Sequence, residues 1–382
     1  MLYGAMEALA IGDPWDPATD VSPVIDVEAR DDISAYIAQH AEAGTLLKQL
    51  DIPSSGTFVS PAVVKVNGIR DLEREIFGPV LHVASFNARD IDQVVADINA
   101  RDYGLTFGLH TRIDDRVQQI IDKLEVGNAY VNRNQIGAIV GSQPFGGEGL
   151  SGTGPKAGGP LYVARFRRTG KIESLPVPEG QNVSGQVIQE AINILDARQW
   201  AARPDRVQVL RKAMSGIGGI VRKALSATAA LDMTPQTLIG PTGESNRLSL
   251  HAKGTVLCLG PTPDIALAQA VQALGAGCAV VVVAPDVAAR ALPLSDACLP
   301  IAAFDGVIDT QSITTLDKLA VVSASGNSDW TSEIRNALAA RSGPITPLEV
   351  QTVSPSRYFI ERHLCIDTTA AGGNASLLAS VN

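Results

Sequence analysis

The stretch GTVLCLGPTPDIALAQAVQALGAGCAVVVVAP, residues 254–285, carries the change of hydrophobic period that decides the fold. Gly254–Leu259 reads as a strand, Asp264–Leu274 as an alanine-rich helix, and Cys278–Ala284 as a very apolar strand. A strand apolar on both faces, entered from a helix and left through a proline, belongs in a parallel sheet covered by helices on both sides. The alternation continues with a strand at Leu319–Ala324, a helix at Ser328–Arg341 and a strand near Leu348–Val353. Right-handed βαβ crossovers are therefore expected. Upstream, Val187–Trp200 and Asp205–Leu231 are helical in pattern.

The first half alternates in the same way. An acidic helix-like stretch at Glu28–Gln49 precedes strand-like runs at Thr57–Ser60 and Ala62–Val66. Pro79–Phe86 reads as a strand, Asp90–Asn99 as a helix, Gly108–Thr111 as a strand, Asp114–Lys123 as a helix and Ala129–Asn132 as a strand. Gly-rich loops follow at Gly137–Gly141 and Gly146–Gly159. Leu161–Leu175, with Arg165 and Arg167 alternating in it, fits an exposed ribbon, and Pro176, Pro178 and Gly180 end that run as a linker. The pattern is α/β throughout, in parts spanning 1–180, 185–356 and a tail, 357–382.

Composition sets the limits on function. The 382 residues are 45% hydrophobic and 19% charged, which excludes a disordered or collagen-like chain. The net charge of −9 falls almost wholly before residue 180, and no basic cluster suits a phosphate backbone, so nucleic acid is not an expected partner. No apolar run reaches the length of a membrane span, and the N-terminus lacks the basic start of a secretory signal. The four cysteines, Cys258, Cys278, Cys298 and Cys365, do not make a disulfide framework, which points to free thiols and a cytoplasmic setting. All four lie after residue 250. The five histidines show no metal-ligand spacing.

Three segments are more particular than scaffold requires: Glu75-Ile-Phe-Gly-Pro-Val80, the loop Asn134–Gly141, and Gln143-Pro-Phe-Gly-Gly147 followed by Gly149-Leu-Ser-Gly-Thr-Gly154. Together they resemble the aldehyde dehydrogenase superfamily. The longer string NRNQIGAIVGSQPFGGEGLSGTGPKAGGPLY, residues 132–162, resembles the L-glutamate γ-semialdehyde (1-pyrroline-5-carboxylate) dehydrogenase module of the bifunctional proline-catabolic family called proline utilisation A. The likeness runs from about residue 1 to 175. It implies a partial aldehyde dehydrogenase catalytic domain, then a Rossmann-like domain of the same superfamily.

By residue type alone, Glu75 reads as a solvated acid at a strand edge and Phe77 as a core aromatic. The resemblance implies instead that Glu75 holds the nicotinamide ribose of NAD and that Phe77 lies beside the nicotinamide ring. It places Gly137 and Ala138 in an aldehyde-anchoring loop, whose backbone N–H groups can meet a substrate carboxylate as a nest does; an ordinary glycine turn is the plainer alternative. Phe145 would pack on the methylene chain of the aldehyde, Asn132 and Pro144 would fix the loops, and Gly146, Gly147, Gly152 and Gly154 would serve conformation. A small departure is Ser22-Pro23, where the family has a Gly-Pro pair.

The larger departure concerns the nucleophile. Aldehyde oxidation needs a thiolate, an oxyanion-holding amide and a carboxylate base. In the family the cysteine lies further upstream of the EIFGP segment than the 74 residues preceding Glu75 here, and residues 1–250 contain no cysteine. The chain therefore reads as a C-terminal fragment with no catalytic residue of its own, starting in an apolar helix over Tyr3–Ile11 that has no cap. Cys258 and Cys278 sit in apolar strand runs where a thiol is inert; Cys365 has only His363 near it, on the same strand face.

In the second half, Ala284 stands where active members carry a ribose-binding lysine, and Leu259-Gly-Pro-Thr-Pro263 lacks G-x-G-x-x-G spacing. A fold kept without its cofactor contacts is expected. Gly240-Pro-Thr-Gly-Glu-Ser-Asn246 reads as a turn before a Leu248–Leu250 strand, with a ligand loop as the alternative. The resemblance implies a small-molecule substrate, NAD, and a homo-oligomer in the complete enzyme, with FAD belonging to an absent proline dehydrogenase module. It makes the tail a cover over the passage between two active sites. The other function read from the chain is a non-catalytic assembly module, using the ribbon as an oligomerisation flap and the second α/β part as a lid.

Overall fold

A computed structural model of the chain describes residues 1–166 and 175–369. They fall into two compact units, divided in sequence between Arg101 and Asp102.

In the first unit, β1 (Leu46–Gln49), β2 (Ala62–Lys65) and β3 (Val80–Val83) make one sheet in that order. β1 runs antiparallel to β2, and β3 parallel to it. The helix Val27–Glu42 opens on Asp26, whose side chain accepts the Ala29 N–H at 2.8 Å. It lays Ile33 and Ile37 on Val59 and Ala62, with Ile76 and Val80 packed alongside. The helix expected to run to Gln49 stops at Glu42, because Gly44 takes a left-handed φ of +69° and releases Leu46–Gln49 as a strand. Thr57–Ser60 is irregular, and the first helix spans only Leu2–Glu7.

The second unit contains β4 (Tyr103–Gly104), β5 (Thr106–Leu109), β6 (Asn128–Val131), β7 (Glu148–Gly149), β8 (Gln236–Leu238), β9 (Glu244–Ala252), β10 (Thr255–Leu259), β11 (Ala279–Ala284), β12 (Ile301–Asp305), β13 (Leu319–Ala324), β14 (Leu348–Glu349) and β15 (Phe359–Asp367). One sheet has the order β12-β11-β10-β13-β14 and is parallel throughout. Its strands alternate between two cores: Val256, Cys258, Val280 and Val282 face Leu210, Val221 and Leu274, while Leu257, Leu259, Val281 and Val283 face Ile188, Ile192 and Ile334. Both faces are thus covered, as the apolar runs require. The helix Pro263–Ala276 starts on Thr262, whose Oγ1 accepts the Ile265 N–H at 3.4 Å, and ends at Gly277 with φ +99°.

Several expected boundaries shift. Val187–Trp200 is two helices, Gly185–Ile194 and Arg198–Ala201, because Leu195 is extended. Asp205–Leu231 splits into Arg206–Ala213 and Gly219–Ala229 around a glycine pair. The helix Ala288–Asp296 and strand β12 carry too little periodicity to be read from sequence, the helix holding Pro293 inside it. Val163–Phe166 forms a 3-10 turn where ribbon was expected, and the remainder of that ribbon, 167–174, lies outside the described residues, as does the tail 370–382.

The other five-stranded sheet has the order β5-β6-β15-β9-β8. β15 lies parallel to β6 and antiparallel to β9, pairing along β9 from Phe359↔Ala252 to Asp367↔Glu244. Period-two alternation sets Glu361, His363 and Cys365 on one face, opposite Leu250, Leu248 and Asn246. Caps elsewhere are local and testable. Asn327 Oδ1 accepts the Trp330 N–H at 2.9 Å at the start of Ser328–Ala339, so Asn327→Ala is expected to cost about 1 kcal/mol in urea denaturation.

Candidate functional site

The candidate loop leaves the end of β6. Asn132 adopts a left-handed φ of +59°, and its Oδ1 accepts the Thr111 N–H at 2.9 Å, which ties the loop's start to the end of β5. Gly137 and Ala138 follow, both exposed. A Cβ at Gly137 would have nothing within 4 Å, so crowding does not demand glycine there. Phe145 is half-buried and exchanges backbone hydrogen bonds with Ala157 at 3.0 and 2.8 Å. The Pro144 carbonyl accepts from Asn128 Nδ2 at 2.9 Å. Gly152 and Gly154 take positive φ values of +150° and +68°, whereas Gly146 does not.

Beneath this loop lies a row of buried polar groups. Gln143 is 2% exposed; its Oε1 accepts the Ile139 N–H at 3.1 Å, and its Nε2 donates to Glu244 Oε2 at 3.1 Å and to Cys365 Sγ at 3.4 Å. Arg133 Nη1 donates to Glu244 Oε1 and, at 3.3 Å, to Cys365 Sγ. Further along, Lys156 is 2% exposed. Its Nζ donates to Asn128 Oδ1 at 2.8 Å and to the Gly146 carbonyl, and its backbone N–H donates to Glu361 Oε2 at 2.7 Å. Burial pulls the Lys156 ammonium down to about 8 and pushes the Glu361 carboxyl up. Between the two clusters sits His363, 1% exposed, with no hydrogen-bond partner at either ring nitrogen among the described residues. Burial, with Lys156 and Arg133 as neighbouring cations, lowers its pKa to about 4. Arg362 and Glu148 form a two-toothed ion pair at 2.8 and 3.0 Å.

Arg133, Gln143 and Lys156 lie inside the string that carries the resemblance, yet they were not singled out in sequence. Glu244 belongs to the stretch read as a turn, and that turn is confined to 241–243 because Glu244–Asn246 already runs in β9. A polar residue entering a strand next to a glycine turn was the available signal.

In the first unit, Glu75 and Phe77 stand on the loop before β3. Ile76 packs into the core while Glu75 is exposed and Phe77 is 81% exposed, so Phe77 is not a core aromatic.

The cysteines differ sharply. Cys258, Cys278 and Cys365 are fully buried, and Cys298 is exposed. Burial raises the Cys258 and Cys365 thiols and takes Cys278 to about 11, which opposes thiolate formation. After β10, Gly260 is pressed on the following helix, since a Cβ there would lie 2.5 Å from the Ala266 nitrogen. The first turn of that helix carries Asp264, paired with Arg290 at 2.7 Å. A phosphate placed at this helix start would meet a like charge. Among the described residues no three His, Cys, Asp or Glu side chains are grouped to hold a metal, and no helix is long and apolar enough to cross a membrane.

Residues 1–172 match the aldehyde dehydrogenase family. Across 97% of its length the chain is 38% identical to the bifunctional protein PutA of Klebsiella aerogenes, and across 95% it is 37% identical to that of Rhizobium meliloti. It matches the C-terminal aldehyde dehydrogenase module of those proteins. The chain spans 29% of the length of these relatives. A 1-pyrroline-5-carboxylate dehydrogenase of Bacillus cereus is 40% identical over 41% of the chain, which covers 30% of that protein. The solved proline utilisation A of Corynebacterium freiburgense superposes with a TM-score of 0.56 at 20% identity, over 96% of this chain and 33% of that one, and shares its fold.

Proposed function

We propose that the chain supplies the C-terminal part of an NAD-dependent dehydrogenase that oxidises L-glutamate γ-semialdehyde to L-glutamate, in three parts, 1–180, 185–356 and 357–382. The observation that carries this reading is the exposed loop segment Gly137–Ala138, held over a largely buried polar row. Its open backbone N–H groups suit the α-carboxylate of the substrate. Phe145, fixed by its backbone pair with Ala157, would contact the methylene chain.

NAD, when bound, accepts the hydride. In this chain Glu75 would accept hydrogen bonds from the ribose hydroxyls, and Phe77 would cover one side of the ring. The carbon under attack needs a thiolate, and three of the four thiols are buried, Cys258 and Cys278 in the apolar core and Cys365 among Arg133, Gln143 and Glu244, where burial raises each of them. The isolated chain is therefore expected to give no turnover. Mixed with a separately expressed upstream half, it is expected to restore NADH formation from the semialdehyde. Turnover by the chain alone would sink the inactivity, and a mixture that stays silent would sink the catalytic assignment.

The second reading is a non-catalytic assembly module, with the 161–175 ribbon as an oligomerisation flap in a homo-oligomer and the second α/β part as a lid. Association with the upstream half without activity would favour it. The free cysteines fit a cytoplasmic setting, and the resemblance a small-molecule substrate.

A further inference from the structure

The loop between Arg133 and Gln143 has both of its feet on a single carboxylate, Glu244, which arrives from a strand 101 residues downstream of Gln143. Arg133 donates to Oε1 and Gln143 Nε2 to Oε2, so each oxygen takes one foot. Gln143 then turns its own Oε1 up to the Ile139 N–H at 3.1 Å, inside the loop. The chain of contacts runs from a strand of the second α/β part, through one buried amide, to the backbone immediately after Gly137 and Ala138. Cys365 Sγ closes the cluster from β15, within 3.3 Å of Arg133 and 3.4 Å of Gln143. Arg133 and Glu244 are largely shielded from water and Gln143 is fully buried, a setting that strengthens charge-assisted hydrogen bonds, and an amide bonded at both ends has its flip fixed by its partners.

We infer that Glu244 is a positioning residue: through Arg133 and Gln143 it holds the loop that carries Gly137 and Ala138 in one conformation. Its consequence for substrate rests on the reading of that loop given above, whereas the tether itself does not. Without Glu244, Arg133 keeps only a neutral thiol as a side-chain hydrogen-bond partner among the described residues, and Gln143 loses the partner that orients its amide. The loop's backbone nest then samples several shapes, and only one presents its N–H groups together.

Amide hydrogen exchange on the full 382-residue chain tests the tether. Glu244→Ala and Gln143→Ala are each expected to speed exchange across residues 134–143 about tenfold or more, while the helix Ser328–Ala339 keeps its wild-type rate. Glu244→Gln, which keeps one acceptor, should give an intermediate rate. Wild-type exchange across 134–143 in both alanine variants overturns the proposal. So does equal acceleration in both segments, since Glu244 would then be a general determinant of folding. In the enzyme reconstituted with its upstream half, Glu244→Ala should raise KM for the semialdehyde about tenfold and leave kcat within about twofold. Faster loop exchange with an unchanged KM would keep the tether and remove Gly137 and Ala138 from substrate binding.

Discussion

His363→Leu is expected to make the second unit more acid-resistant than the wild type, by about 2–3 kcal/mol at pH 4.5. His363 is held neutral, with its pKa lowered to about 4 against 6.5 for an unstrained imidazole. A base whose folded pKa is depressed binds its proton more readily when unfolded, so its stabilising share is complete above pH 6.5 and is lost as pH falls toward 4. The full difference corresponds to about 3.5 kcal/mol at roughly 1.4 kcal/mol per unit. At pH 7 the substitution should change stability by less than about 1 kcal/mol, because the ring makes no hydrogen bond among the described residues that leucine would forfeit. Glu361, raised by burial, acts in the opposite sense and favours the folded state as pH falls. Comparing the two proteins at each pH cancels that contribution. Urea midpoints measured from pH 7 to 4.5 for both check the expectation, and parallel curves would contradict it.

Gly127→Ala is expected to cost about 3 kcal/mol and to loosen the whole 143–160 segment. Gly127 donates to the Gly104 carbonyl at 2.9 Å and accepts from the His363 N–H at 2.8 Å, so it sits between β4 and β15. A Cβ there would overlap the Gly146 carbonyl oxygen and lie 2.9 Å from Lys156 Nζ. That carbonyl and Asn128 Oδ1 are the acceptors of the buried ammonium. Moving the carbonyl aside strands part of a buried charge, which is dearer than the overlap alone. The urea midpoint and amide exchange over 143–160 should both shift; an unfolding free energy within about 0.5 kcal/mol of wild type would show that the backbone gives way freely.

The sequence made the 254–285 unit legible because every determinant there is local. The apolar run of β11 and the glycine after the helix act on their own residues or near neighbours, and the structure reproduces that strand and helix to within two or three residues. The motif EIFGP likewise located the strand β3 that follows it. Boundaries failed where a glycine ended an element early, at Gly44 and near Gly218, since the hydrophobic pattern continued past the point where the backbone turned.

By itself, then, the sequence determined an α/β chain with a loop string similar to that of the aldehyde dehydrogenase family and no thiol before residue 250. Only the tertiary structure decided what that loop rests on. Glu244, Cys365 and Glu361 look in sequence like an acid near a turn, a strand thiol and a strand acid. Pairing β15 between β6 and β9 brings them under Arg133, Gln143 and Lys156, across separations of more than 100 residues. Such partners leave no local period or spacing to read, because their proximity is set by strand register alone.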